Sequence, residues 1–175
     1  MFPLKDRRFP LLLTLLLFVI PLNIFVIGEW LASGVQWAFF KYQTFSMGDS
    51  LITFSRDLEF ISMGLYTGKT AFSVYLWTAG VAVLILALLL LMAAFAEEEK
   101  DHDPRFPGLL LASGGFFFLA SCMSQYGFFL NGPAGFTIPI GVPLVWVVGW
   151  WVYRGGCGEI GHEVYKVDIQ EEKME

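Results

Sequence analysis

The chain has 175 residues, of which 56% are hydrophobic, 17% aromatic and only 15% charged, and its mean hydropathy is +0.62. Ordinary soluble domains carry about 25% charged residues, so the composition excludes a soluble globular domain, and long apolar, aromatic runs exclude disorder or a coiled coil. A net charge of −5 leaves no basic surface for nucleic acid. The sequence therefore reads as an integral membrane protein, with membrane lipid as its first partner.

The first apolar run, residues 9–27, follows Lys5, Asp6, Arg7 and Arg8 and contains Pro21 and Asn23. It exceeds a signal-peptide core in length and is expected as a retained helix. Residues 72–96 carry no charge and stop at Glu97, Glu98 and Glu99. Residues 106–130 open beside Pro107, a residue suited to a first helical turn, and end at the breaker Asn131-Gly132-Pro133. The run 138–153 is shorter, about 24 Å of helix at 1.5 Å per residue, and holds Pro139 and Pro143.

These runs predict a mainly α membrane protein: a single tetraspan domain over 1–175, a four transmembrane helix bundle with a small β-rich extracytoplasmic segment at 28–71 and a tail at 154–175. Lys5, Arg7, Arg8, Lys100, Arg105, Arg154, Lys166 and Lys173 fall on one side of that layout, against Lys41, Arg56 and Lys69. The richer side should face the cytoplasm, with both termini inside a multi-pass cell-membrane protein.

The 28–71 segment is too aromatic for a solvated linker. Its turn-type clusters Gly48-Asp49-Ser50 and Ser55-Arg56-Asp57 flank stretches rich in strand formers, so strands are expected over 35–45, 51–54 and 58–63. A sheet so small is marginal alone and should pack on helix ends or on another protein. An interfacial helix over 29–42 is the competing reading. The topology is similar to the claudin-type tetraspan layout, which by analogy favours an adhesion or interaction role. That family's loop signature of Trp, Gly-Leu-Trp and paired cysteines is absent: Trp30 stands alone and 28–71 contains no cysteine.

Chemical motifs are sparse. Gly64 to Thr70 resembles a P-loop, but Met63 occupies the place of the first glycine, and a turn feeding the next helix is the plainer reading. Ionisable residues are missing from the spans, so Asn23 and Gln125 are the candidate polar intramembrane residues, for helix packing or for a narrow pathway. Ser113, Ala120, Ser124 and Gly127 form a candidate helix-packing face of small residues. Cys122 and Cys157 fall at different depths, which disfavours a disulfide, and neither Cys157 with His162 and Glu163 nor the acidic run 97–103 matches a metal-site pattern. No metal, cofactor or enzymatic constellation is expected. The leading expectation is a non-enzymatic protein acting through contact with another membrane or extracytoplasmic protein, or with itself. Trp30, Trp37, Phe39, Tyr42, Phe45 and Tyr66 are its candidate surface. A small channel or transporter subunit is the alternative, and a membrane enzyme the third reading.

Overall fold

A computed structural model of the chain describes residues 8–96 and 105–154. The expected acidic turn, both histidines, Cys157 and the tail lie outside the described residues. The architecture corrects the tetraspan expectation. Among the described residues there are five helices and a six-stranded antiparallel sheet, and only two helices are long and apolar enough to cross a membrane.

The first run divides. Helix α1 (Arg8–Val19) has 12 residues, after which Pro21 lacks an amide and disfavours helical geometry at Ile20. The β-branched and aromatic Asn23–Ile27 then forms strand β1. Strands β2 (Ala32–Gln36), β3 (Phe40–Phe45) and β4 (Gly48–Thr53) follow as antiparallel hairpins. The expected single strand at 35–45 is thus two strands separated by a turn at residues 37–39, and no helix runs through 29–42.

The expected strand at 58–63 is instead helix α2 (Phe54–Ser62). Asp57 is buried, while Ser55, Arg56, Glu59 and Ser62 are exposed, a helical rather than an alternating period. Helices α3 (Gly68–Ala96) and α4 (Arg105–Tyr126) pack as an antiparallel pair. Trp77, Val81, Leu84, Ala87 and Leu91 bury one stripe of α3, and Gly108, Leu111, Gly115, Phe118 and Cys122 bury one stripe of α4. Glycines allow the closest approaches: a Cβ on Gly80 would lie 2.8 Å from the Phe118 ring, and one on Gly108 would lie 2.5 Å from the Tyr153 backbone nitrogen.

After α4 the chain adds β5 (Asn131–Gly132) and β6 (Gly135–Ile138), then helix α5 over 142–154. Strand β6 pairs with β1, giving the order β4-β3-β2-β1-β6-β5. The stretch that opens with the breaker Asn131-Gly132-Pro133 and runs to Ile138, the first residue of the expected fourth span, therefore completes the sheet. The sheet stands at the end of the helices where α1 leaves and α5 begins: Leu22 contacts Gly141, and Phe9 meets Trp151 at the opposite end.

Register fixes the two faces. Neighbours across strands share a face, so Asn23, Gln36, Lys41 and Ile52 form one row on the inner face and Phe25, Gly34, Gln43 and Ser50 the next. Ile138, Ile24, Val35, Tyr42 and Leu51 form a row across five strands on the outer face.

Candidate functional site

The six aromatic residues expected as one interaction surface fall in three places. Trp30 sits in the β1–β2 turn against Phe136, and Phe45 ends β3 nearby. Trp37 stacks on Phe40 at 4.8 Å and Phe39 on Phe18 of α1 at 5.5 Å, both at the base of the sheet, with Tyr42 on the outer face above them. Tyr66 lies inside, near Lys41 and against Phe60.

The far end of the sheet is built by three turns, Gly28 to Leu31, Ser46-Met47 and Pro133-Ala134. The Gly28 amide donates to the Ala134 carbonyl, which ties two of them together. At this tip Trp30 is 74% exposed, Leu31 70% and Met47 100%. Trp30 also holds φ at 65°, a left-handed conformation that costs a bulky side chain energy and is a genuine outlier. Glu29 and Asp49 flank the tip, with no Lys or Arg between residues 28 and 36 or 42 and 55. Leu31 and Met47 were not singled out in the sequence. The turn signals Gly28 and Gly48 marked where they would emerge.

Three polar pairs lie elsewhere, two of them enclosed and one exposed. Lys41 Nζ pairs with Asp57 Oδ1 at 2.8 Å, tying β3 to α2, and the ammonium lies 5.4 Å from the Tyr66 ring centre. Burial pushes the Asp57 carboxyl above its ordinary range, while Lys41 and the Tyr66 hydroxyl pull it back. On the outer face the Tyr42 hydroxyl donates to Asp49 at 2.5 Å. That bond holds the Asp49 carboxyl below its ordinary range and the phenol above its own. Between sheet and helices, the Thr137 hydroxyl donates to the Asn23 side-chain oxygen, and both residues are buried.

The two polar candidates fall on different elements. Asn23 belongs to β1 and is engaged by Thr137, and Gln125 is half-buried on α4. Of the expected small-residue face, Ser113 bonds the Leu110 carbonyl of its own helix, Ala120 and Ser124 are half-buried, and Gly127 lies past the helix end. The close contacts are made instead by Gly108, Gly114, Gly115 and Ser121, the last bonded to Ser73. Gly64 and Gly68 both adopt left-handed φ in the turn that leads into α3. No group of three metal-ligating side chains occurs among the described residues.

Fold and surface define a helical hairpin that carries a six-stranded sheet with an apolar tip. The family model described as domain of unknown function DUF8050 matches residues 3–162, and the chain belongs to that family. No curated protein matches the chain.

Proposed function

We propose that the protein is a non-enzymatic membrane protein that crosses the bilayer with its α3–α4 hairpin and uses the tip of its sheet to dock an extracytoplasmic protein. The membrane reading is supported by exposure as well as by length. Only 33% of the apolar stretch of α3 and 44% of that of α4 are buried, and the outward side chains include Phe72, Leu86, Leu89, Met92, Leu109 and Phe116. The core helices of a soluble protein hide such residues.

In this reading the sheet faces outward and both termini are cytoplasmic. Helix α1 begins at Arg8, α4 at Arg105, and residue 154 at the described end of α5 is Arg, all at the helix ends away from the sheet. A basic inner side is the usual bias.

The observation that carries the docking role is the tip: Trp30, Leu31 and Met47 are exposed together, and the contact of Trp30 with Phe136 leaves 74% of it open. Trp is a favoured interface anchor, and Met adapts to irregular apolar pockets. The absence of tip cations and the presence of Glu29 and Asp49 disfavour an anionic lipid surface and fit an apolar pocket with a basic rim. The test is a photo-crosslinking residue at position 47 in native membranes. The reading expects one discrete protein adduct, lost when Trp30→Ala is added. Adducts to lipid only, or none, would overturn it.

A further inference from the structure

The base of the sheet does not rest on the helix ends but enters between them. The Trp77 indole donates to the Ala38 carbonyl in the β2–β3 turn at 3.2 Å, and Trp77 lies nine residues into α3, about 13 Å from its start at 1.5 Å per residue. Trp77 in turn meets Phe118 at 4.6 Å, a residue about 12 Å short of the Tyr126 end of α4. Helix α4 has 22 residues, a length of about 33 Å that matches a hydrocarbon core of about 30 Å. Its C-terminal end therefore marks the membrane boundary on the sheet side, and the β2–β3 turn sits roughly 12 Å beneath it.

A backbone turn survives at that depth only with its polar groups engaged. Here the Trp37 amide donates to the Phe40 carbonyl, the Phe39 carbonyl accepts from the Phe54 amide, and the Ala38 carbonyl accepts from Trp77.

The outer face changes character at the matching height. Rows on one face are two residues, or about 7 Å, apart. The lowest is Phe40 with Thr53, and the next is Ile138, Ile24, Val35, Tyr42 and Leu51. The third row, about 13 Å up at the boundary set by α4, joins Ser33, Thr44 and Asp49 to Phe136 and Val26 and is the first of the three to carry a charged side chain. On the inner face of these lower rows Lys41 pairs with Asp57, Gln43 reaches Ser50, and Asn23 accepts from Thr137. The Tyr42 hydroxyl reaches up to Asp49. On α2, which starts at this base and leads toward Gly68, Arg56 lays its guanidinium over Phe60, in the direction of the helix's outer end. An apolar groove lined by Phe39, Phe40, Leu51 and Phe54, with the hydroxyls of Thr53 and Ser55, opens on this face.

We propose that this groove and the apolar row beside it form a lipid-binding surface that takes acyl chains of the leaflet on the sheet side, so that the lower half of the sheet is immersed and only the upper half stands in water. The inference rests on the membrane-spanning reading given above. It also assigns occupants by height: lipid against Leu51 and Ile138, and protein only at Trp30, Leu31 and Met47.

Nitroxide accessibility in phosphatidylcholine nanodiscs tests it, with single labels introduced by Leu51→Cys, Met47→Cys and Phe116→Cys in a Cys122→Ala, Cys157→Ser background; Phe116 is exposed and lies about 15 Å from the Tyr126 end of α4. Oxygen should reach the labels at 51 and 116 while a nickel chelate loses access to them, and the chelate should reach 47. A lipid-exposed label at 116 with chelate access at 51 would overturn the inference and leave the membrane reading standing. Chelate access at 116 would overturn both. Exclusion of both probes at 51 would show a protein covering the groove and would also overturn it. If the Leu51 variant is not monodisperse, Ile138→Cys on the same row gives the same readout.

Discussion

Replacing Trp30 with glycine separates a docking residue from a structural one. Trp30 is 74% exposed, so about a quarter of a side chain that covers roughly 150–250 Å² is buried, which is worth about 1.3 kcal/mol at about 25 cal/mol per Å². Against that loss, a non-glycine residue in the left-handed region, as φ of 65° requires here, costs roughly 1–2 kcal/mol. Glycine occupies that region freely, at a price in chain entropy of about 0.5–1 kcal/mol. The contributions offset to within about 1 kcal/mol, so unfolding titrated with denaturing detergent should be nearly unchanged. The tip crosslink should fall by about 30-fold, the equivalent of roughly 2 kcal/mol for an interface anchor. A stability loss above about 3 kcal/mol would make Trp30 a structural anchor through Phe136. Unchanged stability with an unchanged crosslink would make it idle.

The Lys41–Asp57 pair predicts an asymmetry. Lys41→Met leaves a buried carboxylate without its cation and should cost about 3–5 kcal/mol near neutral pH. Because burial already raises the Asp57 pKa, its protonated form suits the folded state better than the unfolded one. Stability linked to this group is therefore present below the ordinary carboxylate pKa and is lost as pH rises through the raised value. Asp57→Asn should be much milder and should flatten that dependence, while Lys41→Met should recover on acidification; chemical denaturation between acidic and neutral pH checks the order. Thr137→Val leaves the buried Asn23 oxygen without its donor and should cost about 1–3 kcal/mol in the same assay, without altering helix content by circular dichroism. Phe118→Ala empties a fully buried site between Trp77 and Gly80 and should cost about 3–5 kcal/mol. Gly108→Val should disorder the α4–α5 contact first, seen as proteolysis or hydrogen exchange in α5, because the added Cβ meets the Tyr153 backbone.

The long apolar stretches of α3 and α4 were legible because neither contains an internal charge, and one stops at the acidic Glu97 to Glu99 while the other runs to the breaker Asn131-Gly132-Pro133. The first and last apolar runs misled for a shared reason. Residues 9–27 and 138–153 are almost wholly apolar, but at Pro21 the chain changes from helix α1 to strand β1, and around Pro139 and Gly141 from strand β6 to helix α5, with no polar stretch to mark either change. A strand base that enters between helix ends needs the same side chains as a span. Strand β6 has only four residues, and its partner β1 lies more than a hundred positions away, so no local pattern exposes that pairing. Helix α2 was obscured because Leu58, Phe60 and Ile61 look strand-like in isolation, whereas the exposed Ser55, Arg56, Glu59 and Ser62 give the helical period. The aromatic density of 28–71 marked the right segment, but it could not separate the tip from the base or from the inner face.

The docking role is tested most directly by the reactivity of a thiol at the tip, introduced by Met47→Cys in the Cys122→Ala, Cys157→Ser background. It is compared in intact cells and in purified protein in nanodiscs with a membrane-impermeant maleimide, with Thr67→Cys as the reference. The thiol at 67 should react from outside at the same rate in both settings, whereas the thiol at 47 should react freely in nanodiscs and slowly in cells, where a partner covers it. Equal rates at 47 in both settings would contradict a docked partner, and no labelling at either position in intact cells would contradict the outward sheet.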